Sequence, residues 1–481
     1  MGMVILSVVA YGFIFRPLLL GRLCHVPGPW LSKVSSLHLG FYDFSYSRND
    51  QICKWHSRYG PVVCISPNEV SVATLEATKD VYGTTHRWAK SDYFDNFMGY
   101  NMRSVFATKP YEEHRAKRRL ISAFYQASTI YKLPEIEHHV QERSQTVLEQ
   151  IQPGHEVDVY SLTDCTHAVE RVCPERDLLM ELKHLQFIDP FRIRCPKLYK
   201  YVATTLGRLS PRLGYLLADE KLASWCQRRV SVAAMNGSHL SNSHSLLRHL
   251  LVIHEGGGLK KPLYHQYAAA EVLDNINAAE GTVAVTATYL IWRLTETPQW
   301  QRRIREELCA LPLQEDGHAS FSNINRQVPS LEACLCEVYR LHPASSGRAE
   351  RTVPQGGHTL SGVHLPEGTI VTTSVLSLHR DEKTFPDPDR FAPERWLEAD
   401  ELTLGMRYAQ LIPFGHGGRI CLGKALATME IKLLIAKLYS KYETAMTALS
   451  NAELMKQCST HDAVPKALKC VVRFQSVGNQ V

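Results

Sequence analysis

The longest regular hydrophobic pattern in the chain lies between about residues 264 and 297. Apolar side chains recur there at intervals of three, four and seven residues, which is the period of one face of an α-helix. These positions are Ala269, Val272, Ile276, Val283, Ala287, Leu290 and Leu294. Pro298 ends the pattern, because proline has no amide hydrogen to continue the helical bonds. The pattern therefore predicts one long helix that crosses the interior of the protein.

Shorter patterns predict further elements on both sides of this helix. A second helix is predicted at residues 330–342, where Glu337 and Arg340 lie three positions apart and share a face. A third is predicted over the apolar run at 426–438. The short apolar run at 62–65 lies between glycine-, proline- and asparagine-containing turns and predicts a strand that begins a sheet.

The N-terminus carries an apolar run at residues 3–15, followed by Arg16 and then by a stiff, proline-containing segment at 26–30. A bilayer span needs about 20 apolar residues, so this run is marginal in length. A basic start and a small-residue cleavage site, which are typical of a signal peptide, are not evident. The pattern favours a membrane anchor at 1–25, joined by a hinge to a single domain at 26–481. A buried N-terminal helix is the alternative.

Composition restricts the classes of protein that this chain can belong to. Hydrophobic residues make up 44% and charged residues 21% of the 481 residues, which is typical of a packed globular protein. Lys and Arg number 54 against 48 Asp and Glu, far below the charge density of a nucleic-acid binder. The 13 cysteines are odd in number and scattered, so we expect mostly reduced thiols. Metalloprotease, P-loop and dinucleotide-binding motifs are absent from the sequence.

A glycine-rich segment at 413–423 carries the strongest chemical signal. Its glycines permit a tight loop, and Cys421 falls close to the start of the helix predicted at 426–438. Free backbone N–H groups and the helix dipole stabilise a thiolate at such a position. A thiolate held in this way is a metal ligand or a nucleophile, and no histidine in the segment has an obvious partner that would orient it as a base. A metal ligand is therefore favoured over a nucleophile, and both over a small buried cysteine beside a glycine turn.

The segment resembles the FxxGxRxCxG haem-binding signature of the cytochrome P450 family. The matching residues are Phe414, Gly415, Gly417, Arg419, Cys421 and Gly423. Two further segments occur in the family's order: the pair Glu337 and Arg340, and the stretch at 391–396, which is similar to the family's PERF-type segment and contains Arg395. The resemblance implies a mainly α-helical haem domain with a small β region and an N-terminal membrane anchor. It also implies that Glu337, Arg340 and Arg395 form a buried triad that supports the cysteine loop.

The resemblance implies haem b as the cofactor, with Cys421 as the axial ligand of the iron. Phe414, Gly415 and Gly423 are expected to shape the loop beside the haem. The family's propionate-binding positions are occupied here by His114, Arg118, Arg351 and Arg419. A thiolate ligand assists cleavage of the O–O bond of O2 at haem iron. One oxygen atom then enters the substrate, and we expect a monooxygenase.

The family's long central helix normally places an acid and a threonine consecutively, where they deliver protons to oxygen. In this chain Glu280 matches the acid, Gly281 stands in place of the threonine, and Thr282 follows. We therefore assign Glu280 and Thr282 as candidate catalytic residues. The departure at Gly281 leaves two alternatives: a haem-thiolate enzyme of oxidative coupling, isomerisation or dehydration, or a catalytically silent haem- or ligand-binding protein.

The expected partners follow from the same resemblance. Because no flavin-, iron–sulfur- or nicotinamide-binding segment is visible, electrons from NADPH must enter through a separate cytochrome P450 reductase. A basic patch near Lys424, Lys432 and Arg419 is a candidate docking face. We expect a monomer on the cytosolic side of the endoplasmic reticulum membrane, without a nucleic-acid partner. The expected substrate is a lipophilic small molecule, and similarity to filamentous fungal members favours an intermediate of secondary metabolism.

Overall fold

The structure is a computed structural model that describes residues 16–164, 176–235, 245–255, 261–314, 317–345 and 347–477. The α-helices are α1 (Arg16–Leu20), α2 (Trp30–Val34), α3 (Ser36–Phe44), α4 (Arg48–Tyr59), α5 (Leu75–Tyr82), α6 (Tyr111–Ile121), α7 (Ala127–Ile130), α8 (Pro134–Glu149), α9 (Val159–Asp164), α10 (Arg176–Gln186), α11 (Asp189–Arg194), α12 (Pro196–Leu209), α13 (Ala218–Met235), α14 (Leu246–Glu255), α15 (Lys261–Glu296), α16 (Pro298–Cys309), α17 (Phe321–Gln327), α18 (Pro329–Leu341), α19 (Val375–His379), α20 (Glu401–Gln410) and α21 (Lys424–Lys441). Short 3₁₀ helices span Asp92–Phe97, Pro211–Leu217, Pro393–Trp396 and Gly417–Arg419.

The strands form small sheets at the edges of the helical body. They are β1 (Val62–Ser66), β2 (Glu69–Val72), β3 (Ala89–Lys90), β4 (Glu156–Asp158), β5 (Arg351–Thr352), β6 (His358–Leu360), β7 (Val363–Leu365), β8 (Ile370–Thr373), β9 (Tyr442–Met446) and β10 (Val471–Ser476). The main sheet has the order β1-β2-β8-β5-β3, a second has the order β4-β10-β9, and β6 pairs with β7. The expected class, mainly α with a small β region, is confirmed.

Two register pairs in the main sheet bring distant parts of the chain together. Strands β2 and β8 are parallel, with Val72 opposite Thr373. Strands β3 and β5 are antiparallel, with Lys90 opposite Arg351. Because residues opposite each other on neighbouring strands lie about 5 Å apart, this second pair places two cations side by side.

The core is built around α15, whose bounds lie within a few residues of those predicted. Every residue from 283 to 292 is buried, so this half of the helix is enclosed on all sides rather than along one stripe. Helices α18 and α21 pack against it in the largest hydrophobic cluster, with α8 and α9. Burial of large aliphatic side chains there, about 1.5–3 kcal/mol each, fixes the position of α15 relative to the loop that precedes α21.

The N-terminal segment packs against the folded domain before residue 26, where the domain was predicted to begin. Leu23 and Val26 are buried in the hydrophobic cluster of the main sheet. The amide of Cys64 donates to the carbonyl oxygen of Pro27 at 2.7 Å, so the proline-containing segment is docked onto β1. The apolar run at 3–15 lies outside the described residues. Among the helices that are described, none combines the length and apolarity needed to cross a bilayer.

Candidate active site around Cys421

The loop before α21 has a backbone that requires glycine. Gly415 and Gly417 adopt φ angles of 78° and 71°, in the left-handed region that other residues rarely enter. A Cβ atom at position 417 would also lie 2.9 Å from the carbonyl carbon of Tyr82 and 3.1 Å from Cα of Gly83. The loop therefore lies directly against the end of α5. Its turn is closed by the amide of Cys421, which donates to the carbonyl oxygen of Phe414 at 2.9 Å.

The thiol of Cys421 lies at the N-terminus of α21, as the sequence predicted. Neighbouring protein atoms exclude water and raise the pKa of the thiol, while hydrogen bonds from the amides of Gly423 and Lys424 act in the opposite direction. A Cβ atom on Gly423 would be 3.9 Å from the sulfur, so this glycine lies beside it. Although the surrounding protein desolvates the thiol, residue Cys421 retains exposed surface. A metal ion can therefore reach the sulfur, and metal coordination would offset the cost of its ionisation.

Aromatic and charged side chains surround the loop. The ring of Phe414 packs edge-on against Tyr339 of α18, with centroids 5.1 Å apart, and the ammonium of Lys424 lies 5.6 Å from the Phe414 ring. These contacts connect the cysteine loop to the buried face of α18.

Glu337, Arg340 and Arg395 are brought together below the loop. The Glu337 carboxylate accepts two hydrogen bonds from Arg340, at 2.9 and 2.6 Å, and one from Nε of Arg395 at 3.0 Å. It also accepts from Nε1 of Trp396 at 2.9 Å and from the amide of Ala392 at 3.0 Å. Both Glu337 and Arg340 are fully buried. A buried carboxylate with this number of donors is satisfied, so the cluster rigidifies the surrounding chain.

The rest of the Arg340 guanidinium holds the segment that leads into the cysteine loop. It donates to the carbonyl oxygens of His379, Pro388 and Arg390 at 3.0, 2.5 and 3.0 Å. His379 continues the chain of contacts, since its Nδ1 lies 3.2 Å from the carbonyl oxygen of Arg340 and its Nε2 accepts from the amide of Ile412 at 3.0 Å. His379 belongs to no local motif and was not predicted from the sequence, whereas Trp396 lies in the predicted segment at 391–396 but had no predicted role.

The four predicted propionate-binding positions converge on one region, together with a fifth residue that the sequence did not reveal. Lys90 lies there because β3 pairs with β5, which places it opposite Arg351. Arg118 donates to the carbonyl oxygen of Ile420 at 2.7 Å, and Arg419 donates to that of Lys109 at 2.9 Å. His114 is buried. We call Lys90, His114, Arg118, Arg351 and Arg419 the cation cluster.

The cation cluster carries a strong electrostatic penalty. Burial, followed by the charges of Arg351 and Arg419, holds the pKa of Lys90 well below its usual range. Burial and the charge of Arg351 lower the pKa of Arg419 to about 9. The Nε atom of Arg419 is buried and has no hydrogen-bond partner within the described part of the chain. Asp274 is an acid that interacts with Lys90, but the other buried cations repel one another, which is costly, so the cluster is suited to an anionic ligand.

The central helix contains an exposed segment in its middle. Asn277, Ala278 and Ala279 are exposed although they lie in the middle of α15. Thr282 donates its hydroxyl to the carbonyl oxygen of Ala278 at 2.9 Å, within its own helix. Gly281 contacts Asp462, which the sequence did not reveal. The side chain of Glu280 lies outside the described part of the structure.

The prediction of a basic docking face is wrong for two of its three residues. Lys432 is buried and bonds to Oδ1 of Asn325 at 2.6 Å and to Glu332 at 2.5 Å. Arg419 points into the cation cluster. Lys424 alone of the three is exposed. The sequence predicted an apolar helix at 426–438, and the structure encloses most of α21, including its lysine at position 432.

Comparison with known proteins identifies the family. A model of the cytochrome P450 family matches residues 196–462. Cytochrome P450 monooxygenase FGM1 of Gibberella zeae is 33% identical over 473 residues, which cover 94% of this chain and 92% of that protein. Cytochrome P450 monooxygenase hkm5 of Aspergillus hancockii is 27% identical, with 96% and 93% covered. Cytochrome P450 monooxygenase BOT1 of Botryotinia fuckeliana is 25% identical, with 89% and 86% covered. The chain is a cytochrome P450.

The expected activity and cofactor of this P450 are thereby confirmed. It is a haem-dependent monooxygenase of the fungal type, and the family uses haem b and electrons from NADPH that arrive through a reductase. The residues present fit this cofactor. Two propionates would offset the mutual repulsion in the cation cluster and give the orphaned Nε of Arg419 a partner. The thiol of Cys421, with two amides directed at it, fits the axial ligand of the iron.

Proposed function

We propose that this P450 binds haem b through the thiolate of Cys421 and inserts one oxygen atom of O2 into a lipophilic small molecule of fungal secondary metabolism. The observation that carries the proposal is the cysteine loop at the start of α21, with the cation cluster beside it. Haem held by a thiolate supplies activation of O2 for attack on C–H or C=C bonds.

The chain itself holds, orients and shields the cofactor. Arg419 and Arg351 are the propionate ligands with the strongest support, because their pKa values are lowered and their charges face each other. Lys90, His114 and Arg118 complete this role. Glu337, Arg340 and Arg395 act at a distance, since they fix the chain that leads into the cysteine loop and do not contact substrate.

The cavity next to the cation cluster supports a lipophilic substrate that carries some polar groups. Its aromatic and aliphatic lining includes Tyr93, Phe94, Phe106 and Ile193. Polar groups enter at Gln186, Asp189 and His461. Charged side chains such as Asp43, Arg48 and Arg348 also line the cavity, so the lining suits a hydrophobic ligand that carries polar groups.

We place the enzyme on the cytosolic face of the endoplasmic reticulum, with its N-terminus as the anchor and NADPH–cytochrome P450 reductase as the electron donor. The exposed side chains of Leu19, Leu20 and Trp30 extend the apolar character of the N-terminal run onto the described surface. Exposed Lys424, at the cysteine loop, is the remaining residue of the proposed docking face.

Replacing Cys421 by serine tests the proposal. The variant should lose the red-shifted Soret band of the reduced carbonyl complex, because that band requires a thiolate opposite the carbon monoxide. The exposed Cys309 offers a matched control, and Cys309→Ser should keep the band. Survival of the band in Cys421→Ser would show that another group binds the iron.

Mass spectrometry separates insertion from the second candidate function. Gly281 removes the threonine hydroxyl of the family pattern, which favours a reaction without oxygen insertion, such as coupling or dehydration. The gene is expressed with its natural pathway under ¹⁸O2, and products are compared with a strain that carries Cys421→Ser. A product that gains one labelled atom supports the monooxygenase. A Cys421-dependent product without label supports the second function.

A further inference from the structure

A close contact joins the central helix to a buried acid near the C-terminus. A Cβ atom on Gly281 would lie 2.5 Å from Cγ and 3.2 Å from Cβ of Asp462, and would overlap with a carboxylate oxygen. No side chain fits at position 281 while Asp462 keeps its place. The glycine and the acid are therefore complementary: the volume of a side chain at 281 is occupied by the carboxyl group of Asp462.

Asp462 is fixed in this position by a neighbour on α10. The amide side chain of Gln186 donates to the Asp462 carboxylate, and the Asp462 amide donates to Oε1 of Gln186 at 3.3 Å. Reciprocal bonds of this kind hold the carboxyl group in one orientation. Asp462 is 4% exposed, so its carboxyl group is shielded from bulk water.

The charged groups around Asp462 act in both directions. His461 and Lys183 favour its carboxylate form, whereas Asp189 repels it. Burial is the largest influence, and it raises the pKa of Asp462 above the ordinary value. The acid thus retains a proton to higher pH than an exposed aspartate, and it can release that proton to an acceptor beside it.

The surroundings of Asp462 belong to the active-site cavity. Gln186 and His461, which flank the carboxyl group, line the cavity that continues to Arg351 and Arg419. On the other side, Gly281 lies two residues beyond the exposed segment of α15. The acid therefore lies directly against the central helix and beside two residues that line this cavity.

We propose that Asp462 is the proton-delivering acid of this enzyme, and that its carboxyl group occupies the place left by the absent side chain of Gly281. The proposal rests on the proposed function. Monooxygenation consumes one O2, two electrons from NADPH and two protons, and gives hydroxylated product and water. Asp462 gives a proton to the oxygen atom that leaves as water, becomes a carboxylate, and regains a proton from solvent in the cavity.

Carbon monoxide bound to the reduced enzyme is a probe that needs no substrate. A carboxyl group that donates towards the bound gas lowers its C–O stretching frequency, so Asp462→Asn should shift the infrared band. The wild-type band should move as the pH is raised and Asp462 ionises, and Asp462→Asn should abolish that titration. His461→Gln should move the midpoint to higher pH, because the interaction by which His461 favours the carboxylate form of Asp462 is lost. Asp400→Asn, an exposed helix cap, is the matched control.

A band that does not titrate in the wild type, or a titration that persists in Asp462→Asn, would overturn the assignment. These outcomes are independent of the proposed function, which fails if the wild type shows no thiolate-type carbonyl band. A thiolate-type band that does not respond to Asp462→Asn would reject the role of Asp462 as proton donor but would not contradict the proposed monooxygenase function.

A double-mutant cycle tests the steric pairing without any assay of turnover. Gly281→Thr should lower the melting temperature and haem content, because its side chain collides with Asp462. In Gly281→Thr/Asp462→Ala the collision is removed, so the double variant should be more stable than the sum of the two single effects predicts. Additive effects would show that the two positions do not share this space.

A separate cluster on the surface points to a metal site. Nε2 of His86 lies 2.9 Å from one carboxylate oxygen of Asp80, and Nε2 of His358 lies 2.8 Å from the other. The three ligand atoms lie within 4.8 Å of one another. Two imidazoles and a carboxylate, with a fourth position for water, form a donor set that Zn²⁺ prefers. We infer that Asp80, His86 and His358 bind a zinc-class divalent cation, and so tie α5 to β6.

Equilibrium competition between the holoenzyme and a chromophoric chelator measures this site with ZnCl2. The wild type should bind one more equivalent of Zn²⁺ than His358→Ala, and MgCl2 should not compete. His138→Ala, an exposed histidine that also faces a carboxylate, should bind as the wild type does. If the wild type and His358→Ala bind the same number of Zn²⁺ equivalents, the three side chains form hydrogen bonds with one another and do not bind zinc.

Discussion

Single buried side chains decide whether this chain can hold an anionic cofactor. Lys90 is the clearest case, since its partner across the sheet is Arg351 and both charges are removed from water. Like charges on directly opposite strand positions destabilise a sheet. The arrangement is therefore unfavourable for the fold taken alone and favourable once two carboxylates lie between the cations.

Replacing Lys90 by methionine should accelerate haem loss about tenfold or more, because a hydrogen bond to a charged group contributes about 1.5–3 kcal/mol. Transfer of haem to an excess of a haem-scavenging protein, followed by absorbance, measures the rate. Lys54→Met changes an exposed lysine and should leave the rate unchanged. Equal rates for both variants would remove Lys90 from the propionate site.

His379 makes the stability depend on pH. Burial, followed by the charge of Arg340, lowers its pKa from 6.5 to about 3. Between these values the folded chain binds fewer protons than the unfolded chain, so stability falls as the pH falls through this window. Glutamine at this position cannot take up the proton. On acidification below pH 6.5, the unfolding free energy of His379→Gln should therefore fall by about 1.4 kcal/mol less per pH unit than that of the wild type. Urea unfolding at pH 6.5 and pH 5 measures the difference.

The exposed His138 is the control for this pH effect. His138→Gln should follow the wild type at both pH values, because it changes a side chain on the surface and removes no buried contact. If His379→Gln also follows the wild type, a proton on His379 does not enter the unfolding equilibrium.

At the scale of elements, α18 and the 3₁₀ helix at Pro393–Trp396 form one unit through Glu337. Arg340→Ala should cost about 3–5 kcal/mol, because it leaves a buried carboxylate with fewer donors. Urea unfolding and haem content measure the loss. Arg303→Ala removes a half-exposed arginine from a helical pair with Glu307 and should cost under about 1 kcal/mol. Normal haem content with altered regioselectivity in Arg340→Ala would instead mean contact with substrate.

Elements with a local signal were predictable from the sequence, whereas the contacts between them were not. Apolar residues at helical spacing located α15 and α18 to within about three residues, although both helices are enclosed on most sides. Lys432 was misplaced because α21 is enclosed nearly all round, which removes the polar face that would mark burial. Lys90 and Asp462 carry no local motif, and each gains its place through a partner more than 150 residues away.

At the scale of the whole molecule, the described N-terminal segment belongs partly to the folded body. Leu23 is buried against the main sheet, whereas Leu19 and Leu20 are exposed. Deletion of residues 2–20 should reduce membrane association and leave the unfolding free energy nearly unchanged. Deletion of residues 2–25 should cost about 2–5 kcal/mol, because it removes a buried leucine. Sedimentation with membranes and urea unfolding measure the two effects.

Leu23→Ala in the full chain separates packing from anchoring. It should reproduce the stability loss of the longer deletion and keep the membrane association of the wild type. Equal stability of both deletions would place the boundary of the folded body after residue 25, as the sequence predicted.

The fit between Gly281 and Asp462 also constrains how this enzyme can change over evolutionary time. A threonine at position 281 would collide with Asp462, so Gly281 cannot be replaced by threonine before Asp462 changes. The order that avoids the collision is replacement of Asp462 by a small residue first, followed by replacement of Gly281 by a residue with a side chain. Among relatives, the two positions should therefore vary together, with a glycine wherever the acid is present and a small residue at 462 wherever a hydroxyl has returned to the central helix.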